Sequence, residues 1–292
     1  MTKLIVGCGY LGERVARRWH EAGHEVCVVT RSHERAEHFR RQAYAAIVAD
    51  VTRPNSLTNL PAAETVLFAV GYDRASGESI EQVYAGGLRS VLAALPKVTG
   101  RMIYISTTGV YGDARSGWVD EDTPPDPQRD GGRASLAAER VLAASPFASR
   151  GVVLRLAGIY GPGRVPFLDQ LRAGEPIPTV SAGHLNLIHV EDAAAVVVAA
   201  ELYRKRLTYC VSDGHPVMRG EYYAEVARLI GAPPPTFVKP DLNSPRALRA
   251  EADRRVRNTR MLAELGVRLA FADYRAGLAA ILGGCGSADG PV

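Results

Sequence analysis

The sequence predicts an α/β fold, a doubly wound parallel sheet followed by a smaller C-terminal lobe. Through the first half, short apolar strands alternate with amphipathic helices, the pattern of a parallel sheet covered on both faces. A glycine-rich turn, Gly7-Cys8-Gly9-Tyr10-Leu11-Gly12, stands between the first strand and the first helix. From about Gly158 the alternation gives way to loops and short elements.

Residues 3–6 read as a short buried strand. After the glycine turn, Leu11, Val15 and Trp19 recur at helical spacing, and Gly23 ends that helix. Strands are expected at 26–29, 46–48, 65–70 and 102–105, with a helix over 79–95. A further helix at 134–144 and a strand at 151–156 complete a dinucleotide-binding domain over 1–157. Later segments interleave with it. Gly161-Pro162-Gly163 and Pro176-Ile177-Pro178 mark loops. An apolar helix follows at 191–202, then a strand at 208–211, a helix at 221–230 and two short C-terminal helices. Pro233-Pro234-Pro235 reads as a rigid spacer. Residues 158–283 are expected to form mainly a substrate lobe, and 284–292 a loose tail.

The composition narrows the function classes. A hydrophobic fraction of 47% in 292 residues is ample for a core. Lys+Arg 35 against Asp+Glu 31 gives a net charge of only +4, so a nucleic-acid partner is not expected. No apolar run approaches the roughly 20 residues of a membrane span, and the first strand starts too early for a signal peptide. Cys8, Cys27, Cys210 and Cys285 have no metal-ligand spacing, so no metal is expected and reduced thiols in the cytoplasm are.

The glycine turn fits G-x-G-x-x-G in its proper context, after a strand and opening a helix. Gly7 permits the tight turn, Gly9 lets the backbone approach a pyrophosphate, and Gly12 lets helix and strand pack closely. Tyr10, Leu11 and the first-turn amides complete the phosphate cradle of a Rossmann βαβ unit. An acidic residue at the end of the second strand would hold the ribose hydroxyls of NAD(H). This chain has Thr30-Arg31-Ser32 instead, a guanidinium and two hydroxyls suited to a 2′-phosphate, so NADP(H) is favoured over NAD(H). Asp50, after the third strand, is placed to meet the adenine or to cap the helix begun near Pro54.

Four ordered motifs then carry a family resemblance. They are the turn Gly7 to Gly12, Ile105-Ser106-Thr107-Thr108-Gly109-Val110-Tyr111-Gly112, Leu154-Arg155-Leu156-Ala157-Gly158-Ile159-Tyr160-Gly161-Pro162-Gly163, and Leu187-Ile188-His189-Val190-Glu191-Asp192-Ala193-Ala194. Over nearly its whole length the chain resembles the extended short-chain dehydrogenase/reductase superfamily, of the NAD-dependent epimerase/dehydratase type. The resemblance implies a nucleotide-binding sheet, a substrate lobe and a Ser/Thr–Tyr–Lys catalytic group. In that group the tyrosine moves a proton, the lysine lowers its pKa and the hydroxyl polarises the substrate oxygen.

The chain departs from that pattern at two positions. Thr107, four residues before Tyr111, matches the family's hydroxyl. Aligning Leu136-Ala137-Ala138-Glu139 with the family's helix puts Gly131 at the tyrosine position and Ser135 at the lysine position. No tyrosine lies between Tyr111 and Tyr160, and the lysines after Lys3 are Lys97, Lys205 and Lys239. The chain therefore reads as an atypical member. Thr107 and Tyr111 are the catalytic candidates. Tyr160, Arg164, His184 and Asn186 are the substrate-binding candidates, with Arg164 suited to an anionic group and His184 to titration. His189, in an apolar run, reads as structural, and Asp192 as capping or beginning the helix. The acidic loop with Glu121, Asp122 and Asp126 reads as a flap or plain surface, and Arg246, Arg249, Arg254, Arg255, Arg257 and Arg260 as a basic stretch near the substrate mouth.

Three functions remain open on these residues. The first is an NADP(H)-linked oxidoreductase or epimerase acting on a small anionic substrate, a nucleotide sugar included, and working as a monomer or homodimer. The second is a catalytically inactive redox sensor that binds NADP(H). The third is a structural protein with a vestigial site.

Overall fold

A computed structural model describes residues 1–202, 207–240 and 252–283. Its centre is a seven-stranded sheet. The strands are β1 (Thr2–Val6), β2 (Glu25–Thr30), β3 (Ala45–Val48), β4 (Thr65–Phe68), β5 (Arg101–Thr107), then, past the short β6 (Trp118–Val119), β7 (Gly151–Leu156). Beyond the two- and three-residue strands β8 (Gly158–Tyr160), β9 (Ile177–Pro178), β10 (His184–Leu185) and β11 (Leu187–His189), β12 (Leu207–Val211) closes the sheet. The order is β12-β7-β5-β4-β1-β2-β3, and every pairing within it is parallel. This is the doubly wound fold that the strand–helix alternation predicts. Its order reverses between β1 and β4, which opens a crevice at their C-terminal ends.

Alternation along the strands sends their side chains to two cores. Ile5, Val28, Leu67, Ile103 and Leu154 pack with α1 (Gly12–Glu21) and, later in the chain, the apolar helix at Val190–Ala200. Leu4, Val6, Val66, Phe68 and Met102 pack on the opposite face, with the helices at Gly87–Ala94 and Asp130–Ala143. In chain order after α2 (His33–Arg41) these are α3 (Gly87–Ala94) and α4 (Asp130–Ala143). They are followed by α5 (Leu168–Arg172), α6 (Val190–Ala200), α7 (Arg219–Leu229), α8 (Thr259–Leu265) and α9 (Tyr274–Leu282). The helix expected over 79–95 is divided. Gln82–Gly86 is a π-helical turn that runs into α3. Gly87 sits where a Cβ would come 2.7 Å from a Val51 methyl, so this stretch needs a glycine to approach the sheet.

At the end of the sheet remote from the crevice, Lys3 is buried. Its ammonium meets the carboxylates of Glu64, at 3.0 Å, and Glu201, while Glu201 also accepts from the Thr65 hydroxyl and the Trp19 indole N–H. The pairing satisfies a buried cation that would otherwise be costly.

The smaller lobe has its own core of Tyr160, Leu171, Ile177, Tyr222, Val226, Tyr274 and Leu278. The prolines at 176 and 178 do not leave a plain loop, because Ile177–Pro178 pairs in parallel with β14 (Phe237–Val238), the strand after β13 (Val217–Met218). The acidic segment is no flap. Glu121 Oε1 accepts from Cys210 N–H at 2.7 Å, and Asp122 pairs with Arg260 at 2.7 Å, which fastens it to the sheet edge and to α8. β15 (Arg255–Val256) pairs with β6 beside it. Arg246, Arg249 and the tail expected at 284–292 lie outside the described residues.

Candidate nucleotide-binding and active site

The three glycines of the first turn meet different surroundings. Gly7 has φ +89°, and a Cβ there would stand 2.6 Å from the backbone of Val70, across the crevice at the end of β4. At Gly12 a Cβ would come 2.9 Å from the carbonyl oxygen of Gly7 and 3.4 Å from Ile5, so helix and strand touch there. At Gly9 a Cβ would find nothing within 4 Å. The middle glycine is therefore not required for packing. Its bare backbone faces open space at the switch point, where a pyrophosphate fits. No side chain caps the N-terminus of α1 at Leu11; Glu13 N–H bonds back to Gly9 O at 2.9 Å, and the helix end opens toward the same space. These residues fit a dinucleotide.

Cys8, inside the turn, is buried, and burial pushes its thiol up to about 12, so it serves as a neutral filler. The side chain of Leu11 lies in the core, and only its backbone can serve a ligand. Tyr10 bridges the turn to the smaller lobe. Its hydroxyl donates to Pro162 O at 3.0 Å, and its ring lies between the guanidiniums of Arg14, at 4.2 Å, and Arg164, at 5.2 Å. Arg164 is thereby exposed beside the nucleotide turn.

At the end of β2, Arg31 is half-exposed and pairs with Asp73 at 3.2 Å. Thr30 Oγ1 accepts from Ser32 N–H, and Ser32 Oγ accepts from Arg35 N–H and caps α2. Arg35, missed in the sequence reading, reaches back to the Cys8 carbonyl and to Glu13 at 2.6 Å, with its guanidinium over Phe39. It brings a second guanidinium beside the turn. Asp50 does not cap the Pro54–Ser56 turn. Its Oδ1 accepts from the Thr52 N–H and hydroxyl, an Asx-type turn that holds the carboxylate at the β3 end.

Thr107 ends β5 at the same edge of the sheet. Its Oγ1 accepts from Gly109 N–H at 3.0 Å, which leaves the hydroxyl proton free to point elsewhere. Gly131 and Ser135 lie on the first turns of α4. Ser135 is buried and bonds the buried phenol of Tyr104, so its hydroxyl does not face the cleft.

The fold withdraws several candidates from that cleft. Tyr111 is buried, accepts from Arg155 Nη1 at 2.8 Å and contacts Cys210 Sγ at 3.0 Å. Burial pushes its phenol far up, so it is a poor proton donor or acceptor near neutral pH. Tyr160 is only 1% exposed, sits in the lobe core and donates to Asp273 O. Asn186 spends its amide on Arg254 O, at 2.9 Å, and on Val256 N–H, at 2.7 Å, and so pins the strand that carries Arg254. His184 remains near the lobe junction. Its Nδ1 lies 2.8 Å from Asp253 Oδ1. Burial opposes ionisation of Asp253, yet the Ser116 hydroxyl and His184 outweigh it and hold the carboxyl down at about 2. His189 is structural, as expected. Its Nδ1 accepts from Glu191 N–H and caps α6, and burial lowers its pKa. Asp192 lies in the first turn of α6, where His189 is the cap. The Asp192 carboxylate accepts from Ala270 and Phe271 N–H, at 2.7 and 3.0 Å, and ties down the segment before α9.

Asp213, after β12, was not singled out in the sequence. It is buried, and its Oδ2 has no hydrogen-bond partner among the described residues. Burial pushes its carboxyl up to about 7; Asp273 and Asp192 add to this, and His215 opposes it. The folded pKa lies above the unfolded value of about 4. Between those values the folded state keeps a proton the unfolded chain has lost, so stability falls as pH rises from about 4 to about 7. Asp213→Asn is expected to flatten that part of the Tm-against-pH curve and to raise Tm at pH 8. An unchanged slope would show that Asp213 is not its source.

The family profile of the NAD dependent epimerase/dehydratase family matches residues 4–207. The chain is 32% identical to Protein YeeZ of Escherichia coli (strain K12) over 243 residues, 80% of this chain and 85% of that one. It is 29% identical over 277 residues to a 3-diazoavenalumate denitrifying reductase of Streptomyces sp, covering 85% of this chain and 87% of that one. A solved structure of a functionally unknown conserved protein from Silicibacter pomeroyi DSS is 29% identical. It superposes with a TM-score of 0.78 over 98% of this chain and 99% of that one. No described helix is long and apolar enough to cross a membrane. By its sheet order, its glycine turn and these matches, the chain belongs to the NAD dependent epimerase/dehydratase family.

Proposed function

We propose that this protein is an NADP(H)-linked oxidoreductase that acts on a small anionic carbonyl compound. The observation that carries the reading is the open face at Gly9, in the β1/β4 crevice, on the same sheet edge as Arg31 and Thr107. Its relationship to a Streptomyces protein named as a reductase supports hydride chemistry.

NADPH, when bound, supplies the hydride. Gly9 and the first-turn amides of α1 hold the pyrophosphate, and Arg31, with Arg35 beside the turn, meets the 2′-phosphate. The Thr107 hydroxyl donates to the substrate oxygen. With glycine at 131 and serine at 135, α4 offers no phenol, so the proton that completes the alcohol reaches that oxygen from solvent.

Calorimetric titration with NADPH and NADH tests the cofactor. NADPH is expected to bind more tightly, and Arg31→Asp to weaken NADPH by about tenfold or more while sparing NADH. Preference of the unmodified protein for NADH would overturn the assignment. The same glycine and serine support a second reading, an NADP(H)-binding redox sensor. Such a sensor must bind the oxidised and reduced forms with different affinities and turn over no carbonyl compound. Loss of NADPH absorbance with carboxylated carbonyl substrates decides for the enzyme.

A further inference from the structure

Both guanidiniums beside the nucleotide turn are already held by carboxylates. Arg35 donates through Nη2 to Glu13, at 2.6 Å, and to the Cys8 carbonyl, and its guanidinium lies over Phe39. Arg31 is held more loosely. Its Nη2 donates to Asp73 Oδ2 at 3.2 Å, and both side chains are half-exposed. A 2′-phosphate that reaches Arg31 therefore finds a cation with a partner.

The two partners come from opposite sides of β1. Arg31 follows β2 and Asp73 lies beyond β4, and the sheet order β4-β1-β2 puts the glycine turn between them. The pair thus spans the crevice into which Gly9 opens. Asp73 is its fixed member. Its Oδ1 accepts from Ala75 N–H at 2.9 Å, its carbonyl oxygen accepts from the Ser76 hydroxyl at 2.7 Å, and the Tyr72 hydroxyl donates to Glu78 O at 3.0 Å. Residues 72–78 are a loop closed by their own bonds, with this carboxylate as the cap of the turn at Arg74–Ser76. Arg31 is the member that can swing. It has a long flexible stem, and the bond to Asp73 is its one side-chain hydrogen bond among the described residues.

An ion pair between half-exposed groups holds weakly, because water screens it and two side chains lose freedom to form it. A phosphate monoester carries more than one negative charge at neutral pH and accepts from both arms of a guanidinium fork. It can take Arg31 from Asp73. Sharing Arg31 would instead bring two anions together, which repel. NADH has only hydroxyls at this ribose and leaves the pair standing.

We propose that Asp73 is a specificity-determining residue, which competes with the 2′-phosphate of NADPH for Arg31 and so narrows the preference for NADPH over NADH. This rests on the reading of Arg31 as the 2′-phosphate ligand. Part of the affinity that Arg31 gives to NADPH is lost in breaking the pair, and NADH loses none.

The test is calorimetric titration of the full-length protein with NADPH and, separately, with NADH at fixed ionic strength. Asp73→Asn keeps the oxygen that accepts from Ala75 N–H and removes only the charge. It is expected to tighten NADPH by about three- to tenfold and to leave NADH within about twofold. In the Arg31→Met background the same change is expected to tighten NADPH by less than about twofold, because no guanidinium is left to compete for. Glu78→Gln removes one negative charge from the same loop and is expected to leave both nucleotides within about twofold. The proposal is wrong if Asp73→Asn leaves the ratio of NADPH to NADH affinity unchanged. It is also wrong if Asp73→Asn tightens NADPH as much without Arg31 as with it, since Asp73 would then act only by its charge at a distance. Preference of the unmodified protein for NADH overturns the cofactor reading alone, because a shift toward NADPH in Asp73→Asn still decides the competition. A protein that binds neither nucleotide, with or without Asp73, overturns both.

Discussion

Arg155→Met is expected to destabilise the protein by about 3–5 kcal/mol, read as a lower urea midpoint with an unchanged slope. Arg155 lies on β7, one strand in from the edge of the sheet, with its side chain only 8% exposed. It donates to Glu139 on α4 through Nε, at 3.0 Å, and Nη2, at 2.7 Å, and Nη1 donates to Tyr111. Glu139 also accepts from the Ser106 hydroxyl at 2.6 Å. Burial alone would lower the pKa of this guanidinium, but Glu139 and Tyr111 outweigh burial and raise it, so it stays charged. Removing the arginine leaves a carboxylate inside the protein with only a hydroxyl to face. Removing both charges in Arg155→Met/Glu139→Leu is expected to recover most of the loss, because a packed apolar pair avoids desolvating two ions. A double variant as unstable as Arg155→Met would mean that the stability comes from packing and not from the ion pair.

Two glycines two residues apart should separate folding from binding. Gly9→Val is expected to leave the unfolding free energy from urea titration within about 0.5 kcal/mol and to weaken NADPH by about a hundredfold or more. The basis is spatial. A Cβ at Gly9 meets no protein atom within 4 Å, so the added methyls fall where the pyrophosphate would lie. Gly7→Ala should do the reverse first. Its φ of +89° and the 2.6 Å approach to Val70 make any side chain strained, with a cost of about 2–4 kcal/mol to the fold. Cofactor binding then suffers only through the displaced turn. Normal NADPH affinity in folded Gly9→Val would remove the ground for placing the dinucleotide at this turn.

The residues that misled or escaped the sequence reading share a physical feature. Arg155 sits between Leu154 and Leu156, and Lys3 opens the first apolar strand. A charge inside a buried strand is a legible anomaly, but its partners Glu139 and Glu201 lie on distant helices that only the folded chain brings near. Tyr111 and Tyr160 stand in motifs at the ligand edge of the sheet, so position alone marked them as candidates. Which side of the backbone each ring takes depends on packing against Cys210 in one case and Gly277 in the other, where a Cβ would come 2.0 Å from the Tyr160 hydroxyl. Arg35 belongs to no motif. It works by reaching back across a turn to Cys8, and spacing along the chain carries no sign of that reach.

The sequence by itself determined the parallel sheet and the glycine turn between its first strand and first helix, because strand alternation and glycine geometry are local properties. Only the tertiary structure decided that Tyr111 is walled in by Arg155, that Gly9 faces open space where Gly7 and Gly12 do not, and that Arg254 donates to Gly112 O across the lobe boundary. These depend on segments far apart in the chain arriving at one place, and on which side chains that arrival buries.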